Sequence, residues 1–170
     1  MIHWIKWIVF VSILTAVVGC GYRFSGGEGL LNGTIQSVYV QMFENKSRWS
    51  DLDVIFTNDI IAELVRNRSV TLNNNSDKTR LCGTIERVYV DTLNRSADGK
   101  PQEKYIEVTI SVFLKNNSGK KIWQSRPVKA REPYFPGKTH QKTLNIQMDA
   151  IKCISKRVAM TMVNELGQGF

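Results

Sequence analysis

Apolar residues fall in two periods along this chain. From Thr34 to Met42 they alternate with polar ones, with Val38, Val40 and Met42 on one side, which predicts a half-buried strand. Over 51–67 the spacing changes to three and four: Leu52, Ile55, Phe56, Ile60 and Leu64 make the stripe of an amphipathic helix. Ser50 or Asp51 is placed to cap it, and acids crowd its first turn, where the helix dipole favours them. Val70 and Leu72 give a short strand. A long strand follows over 80–92, in which Gly83 marks a bulge or a close backbone approach. The clearest alternation is 104–114, with Ile106, Val108, Ile110, Val112 and Leu114 facing one way and Glu107, Thr109 and Ser111 the other. Asn116-Asn117-Ser118-Gly119 is a hairpin turn into a strand over 121–125. That strand either breaks at Pro127 or lies at an edge. Residues 131–142 are expected to form a loop with two prolines. The last element, 143–166, is a long helix with Leu144, Met148, Ile151, Ile154, Val158, Met162 and Leu166 on its stripe and Gly167 to end it. The order β-α-β-β-β-β-α predicts an α+β fold. It is a two-layer sandwich of a mainly antiparallel, four- to five-stranded sheet with two α-helices on one face, the arrangement that buries every apolar stripe.

The amino-terminal segment does not fit either period. Lys6 precedes an apolar run of about a dozen residues from Trp7 to Val18, the length of a secretory signal core and short of the ~20 residues that span a bilayer. It ends in Val17-Val18-Gly19-Cys20, which resembles the bacterial lipobox. That resemblance implies a signal peptide over 1–19, cleavage before Cys20, and a covalent diacylglycerol and N-acyl (palmitate) lipid on the Cys20 thiol. Each buried CH₂ of such chains contributes about 0.8 kcal/mol to membrane anchoring. Gly21 follows the cysteine where an Asp would favour inner-membrane retention in enteric bacteria. The expected location is therefore the periplasmic side of the outer membrane. The alternative is a plain signal anchor with an incidental cysteine. Glycine-rich 20–33 reads as a tether and 34–170 as the folded domain.

Composition narrows the function. The formal charge is +8, from 23 basic and 15 acidic residues, and loss of the leader removes only Lys6. A chain this basic meets anionic partners or simply carries a solvated basic surface. A lipobox excludes the compartment in which nucleic acid is found, so no nucleic-acid partner is expected. His3 leaves with the signal, so His140 alone remains. No nucleophile elbow, phosphate loop or metal-ligand spacing occurs. The chain is therefore expected not to be an enzyme and to use no metal or cofactor beyond the lipid on Cys20. Only a site assembled by the fold would overturn that. The periplasm permits disulfides. Cys82 and Cys153 are expected as buried free thiols, with a bridge between them as the alternative.

The whole chain from residue 20 resembles the lipopolysaccharide-assembly lipoprotein (LptE) family. The resemblance rests on Cys20-Gly21-Tyr22-Arg23-Phe24, on the Val38–Phe43 strand running into Glu44-Asn45, and on the helix near 51–67. Leu81-Cys82-Gly83-Thr84-Ile85, Tyr105–Leu114, Asn116-Asn117-Ser118-Gly119 before Ile122-Trp123, and the terminal helix add to it. The order and spacing of these features carry the likeness. Just upstream of Leu81, where the family often has Ala-Asp, this chain has Lys78-Thr79-Arg80. The resemblance implies an outer-membrane lipoprotein that plugs and helps assemble a large β-barrel of the LptD type and takes part in lipopolysaccharide insertion. Basic loops are the expected means of gripping phosphorylated lipid, through charge-assisted bonds. The candidates are Arg95, Lys100 and Lys104 in one loop and Arg131, Lys138 and Lys142 in another, each weighed against an ordinary solvated charge. Tyr134-Phe135 is the candidate barrel contact, or else a lid folded on the sandwich edge. The competing function is a lipid-anchored adaptor of another envelope secretion or pilus machine.

Overall fold

The computed structural model describes residues 35, 37–67, 70–75, 79–97, 99 and 101–168. The signal segment, Cys20, the tether and Lys100 lie outside the described residues. In chain order the elements are β1 (Ser37–Val40), β2 (Glu44–Asn45), α1 (Leu52–Asn67), β3 (Thr71–Leu72), β4 (Arg80–Arg95), β5 (Pro101–Lys115), β6 (Lys121–Gln124), β7 (Val128–Tyr134) and α2 (His140–Gln168).

One long antiparallel hairpin, β4 with β5, is the spine of the sheet, running from Arg80↔Lys115 to Arg95↔Pro101. Two strands then share the far edge of β5. β6 pairs with its last residues and β7 with Lys104–Ile110, both antiparallel. Pro127 lies between them, where its missing N–H breaks the ladder. The sequence read 131–142 as a loop. The pairing Glu107↔Arg131 to Lys104↔Tyr134 instead carries β7 to Tyr134. Pro133 is tolerated there because β7 is an edge strand. Arg157 of α2 reaches that edge, donating to the Arg131 carbonyl at 3.2 Å and pairing with Glu132. Such cover protects an edge from unwanted pairing.

The other side of the spine is parallel. β1 runs parallel to both β3 and β4, and β2 runs parallel to β4. The cause is connectivity, since β1 and β3 are joined through helix α1, and a crossover delivers the chain back in the same direction. The sheet is therefore mixed.

Both helices lie on one face. Leu52, Phe56, Ile60 and Leu64 of α1 and Ile151, Ile154, Val158 and Met162 of α2 pack with Leu81, Ile85 and the alternating Ile106–Leu114 row. Met42 was expected in this core but is 59% exposed. β1 stops at Val40, and Phe43 turns inward in its place. The Phe43 N–H donates to Thr57 Oγ1 at 3.0 Å, and that hydroxyl donates to the Asp53 carbonyl at 2.6 Å. The Phe43 ring lies over Gly83 so closely that a Cβ there would sit 2.3 Å from the ring. Gly83 is thus a close-approach glycine on the core side of β4. At the start of α1, Asp51 adopts φ 64°, an uncommon left-handed conformation for a residue with a side chain. Both cysteines are free; Cys82 is buried as expected, whereas Cys153 is exposed.

Candidate functional site

Register places most of the sequence-predicted residues at one end of the sandwich. Thr92 of β4 is opposite Lys104 of β5, and Lys104 is opposite Tyr134 of β7. The tip of the hairpin and the β7–α2 connection therefore lie side by side, with Lys104 between them.

Local chemistry sets each member. Near the tip, Gly99 takes φ 79° and its N–H donates to the Ser96 carbonyl at 2.9 Å. Arg95 spans this turn, its guanidinium donating to the Gly99 carbonyl at 3.1 Å while the side chain stays exposed. On the other side Thr139 is the N-cap of α2, its hydroxyl accepting the Lys142 N–H at 3.2 Å. This cap starts the helix at His140, earlier than the apolar stripe indicated. The Gly137 N–H donates to Thr143 Oγ1 at 3.1 Å, and a Cβ on Gly137 would come within 2.8 Å of Lys142 Cβ. The loop bearing Lys138 is thereby fastened to the turn bearing Lys142, and both lysines are exposed.

Arg131 and Tyr134 do not belong to this group. Arg131 sits within β7 on the sheet face away from the helices. Its Nε donates to Glu107 Oε2 at 2.5 Å, and its guanidinium lies 5.0 Å from the centre of the Tyr105 ring. The bond to Glu107 and the charge of that carboxylate hold the Arg131 pKa above its ordinary value. Tyr134 is 4% exposed, and its hydroxyl accepts the Gln147 amide N–H at 2.5 Å, so it is a core residue. Phe135 next to it is 66% exposed. The candidate pair thus divides into one buried anchor and one free ring.

Leu93 completes the end of the molecule and was missed by sequence reading. The ladder shifts register between Thr92 and Asn94, which leaves Leu93 as a bulged residue with 57% exposure. The signal was present: Leu93 is out of phase with Val88, Val90 and Thr92. Exposed Leu93 and Phe135 beside Arg95, Lys104, Lys138 and Lys142 combine apolar contact with cationic donors. That combination suits an anionic amphiphile.

Other features offer no chemistry of this kind. An open groove of about 320 Å³ between α1 and α2 is lined by Asp59, Glu63, Arg66, Lys156 and Met160, among others. Glu63 there is engaged by Arg66 and by Asn67. His140 is exposed at the first position of α2. Among the described residues no three His, Cys, Asp or Glu side chains are grouped to hold a metal ion, and no helix is long and apolar enough to cross a membrane.

The family model described as LptE, lipopolysaccharide-assembly, matches residues 35–166. No curated protein sequence matches the chain. Among solved structures the chain is similar to rare lipoprotein B of Shewanella oneidensis at 13% identity, covering 76% of this chain and 92% of that one with a TM-score of 0.55. It is similar to a minor lipoprotein of Acinetobacter baumannii at 15% identity, covering 78% and 90% with a TM-score of 0.53. The PelC dodecamer of Paraburkholderia phytofirmans is similar at 13% identity, covering 80% and 90% with a TM-score of 0.50. At these identities the likeness is one of fold.

Proposed function

The chain belongs to the LptE lipopolysaccharide-assembly family, and from that membership we propose an outer-membrane lipoprotein that seats in a large LptD-type β-barrel and handles lipopolysaccharide on its way outward. The role is non-enzymatic. Cys20 carries the diacylglyceryl and N-acyl chains after cleavage of 1–19, 20–33 is the tether, and 34–170 is the working domain on the periplasmic side.

The observation that carries this reading beyond family membership is the exposed end. Arg95, Lys138 and Lys142 would grip phosphates, arginine bidentately and lysine as a point charge. Lys104 stands between the two groups, and Lys100, outside the described residues, stays a candidate from the sequence alone. Leu93 and Phe135 would meet acyl chains or the barrel. Arg131, committed to Glu107, is a weaker candidate.

The test is a crosslinking pull-down of the tagged, lipidated chain from native membranes, with mass spectrometry of what comes with it. A stoichiometric outer-membrane barrel together with lipopolysaccharide is the expected result. A second reading is an adaptor of another envelope machine, and the fold likeness to the PelC dodecamer is what favours it. It predicts a different partner, or a ring of copies, and no lipopolysaccharide.

A further inference from the structure

Among the described residues, the sheet has one face packed by the two helices and one face that neither helix covers. That second, bare face is not neutral ground. Three of its rings lie beside cations: Arg87 is 5.5 Å from the Tyr89 centroid, Arg131 is 5.0 Å from Tyr105, and Lys121 and Lys115 are 4.8 and 5.3 Å from Phe113. The ladders place these groups in register. Arg87, Thr109 and Lys129 form one row across β4, β5 and β7, and Tyr89, Glu107 and Arg131 form the next. Glu107 at the centre is buried and is consumed by Arg131. One row further on, Asp91 lies opposite Tyr105 and accepts the Tyr89 hydroxyl at 3.1 Å, and Glu103 of β5 and Glu44 beside Thr84 are further acids on this side, outnumbered by Arg80, Arg87, Lys115, Lys121, Lys129 and Arg131.

The outcome is a net positive surface whose arginines are held in place. A guanidinium stacked on a ring keeps its planar fork of donors fixed, so less conformational freedom is lost when a carboxylate docks. Arg131 donates to Glu107 through Nε, and its side chain remains 64% exposed. A second copy of the chain is a poor occupant, because the same cations would face one another. Cations spread across three strands also match an extended wall better than they match a small headgroup, which favours a concave site.

We propose that this bare sheet face is the surface laid against the protein partner, and that the facing wall carries carboxylates. The polar inside of a β-barrel is such a wall. The inference rests on the barrel reading above and adds which face makes the contact and by what chemistry.

The experiment uses the full lipidated chain in native membranes. One variant is Tyr89→p-benzoylphenylalanine on the bare face, where Tyr89 is 43% exposed. Another places the same photoprobe at Lys152, exposed on α2. A third is Arg87→Glu with Lys129→Glu, two exposed positions whose change removes no buried contact. The expected result is a barrel adduct from position 89 and none from 152, with partner recovery reduced at least tenfold by the double charge reversal. Adducts from 152 alone, or unchanged recovery with the reversed charges, would overturn the inference while the barrel reading stands. Failure of the unsubstituted chain to recover any barrel would overturn both.

Discussion

The two halves of strand β4 share one partner, β5, and differ in burial. In the proximal half, Leu81 to Ile85 are buried, flanked by β1 and β2 on one side and β5 on the other. In the distal half, from Glu86 to Arg95, no residue is fully buried, the ladder is interrupted by register shifts, and Leu93 is turned out. Phe43 accounts for much of the contrast. It is tied through its N–H to Thr57 and through its ring to Gly83, so it joins β2, α1 and the proximal half of β4 in one packed unit. Among the described residues the distal half of β4 has β5 alone beside it, with Val88 and Val90 half-buried against the core. Stability is concentrated where the strand is clamped, and the functional candidates gather where it is free.

The largest losses of stability are expected at the clamp. Phe43→Ala should cost about 3–5 kcal/mol, the range for truncating a buried Phe, as read from urea unfolding. Gly83→Ala should cost about 1–3 kcal/mol, because the new methyl overlaps a ring rather than a flexible side-chain end. In a Phe43→Ala background that second cost should nearly vanish, and a double-mutant cycle measures the difference. Additive losses would show that Gly83 is required for some other reason. Thr57→Val should cost about 1–3 kcal/mol, since it leaves the buried Phe43 N–H without its acceptor. In the distal half, Arg95→Glu with Lys138→Glu should change stability by less than about 0.5 kcal/mol. The same pair should lower lipopolysaccharide retention at least tenfold.

The smallest effect is expected at a thiol of the clamped half. Burial pushes the Cys82 pKa above its ordinary value of 9.0, with Lys115 and Arg80 opposing it. Folding thus disfavours the thiolate, and the associated stability is present below the unfolded value. It is lost as pH rises through the folded one. At pH 8, an alkylating reagent should label exposed Cys153 well before Cys82. Phe43→Ala should speed labelling at Cys82 and leave Cys153 unchanged. Equal acceleration at both would mean global rather than local opening.

Much of the fold was legible in the pattern of side chains. The Ile106–Leu114 alternation is buried throughout, and the two helical stripes are buried except at Ile55, Leu144 and Met148, which are half-buried, because one face of each element is strongly apolar. The parallel strands were missed although a helix between β1 and β3 already implied a crossover. β7 was missed because Pro133 reads as a loop unless it is known to lie on an edge. Within the candidate site, the basic residues were visible as residue types, but their grouping was not. Only register shows that Lys104 adjoins the β7–α2 connection and that Arg131 is held by Glu107. Tyr134 and Phe135 look alike in sequence, and the Gln147 amide is what separates them.

The exposed end, not the clamped half, is the part proposed to handle lipopolysaccharide. The most direct measurement is lipopolysaccharide recovered per tagged chain from native membranes, compared among the unsubstituted protein, Arg95→Glu with Lys138→Glu, and Lys152→Glu on the outer helix face. A loss of at least tenfold is expected in the first variant and none in the second. Equal recovery in all three, or an equal loss in both variants, would contradict it.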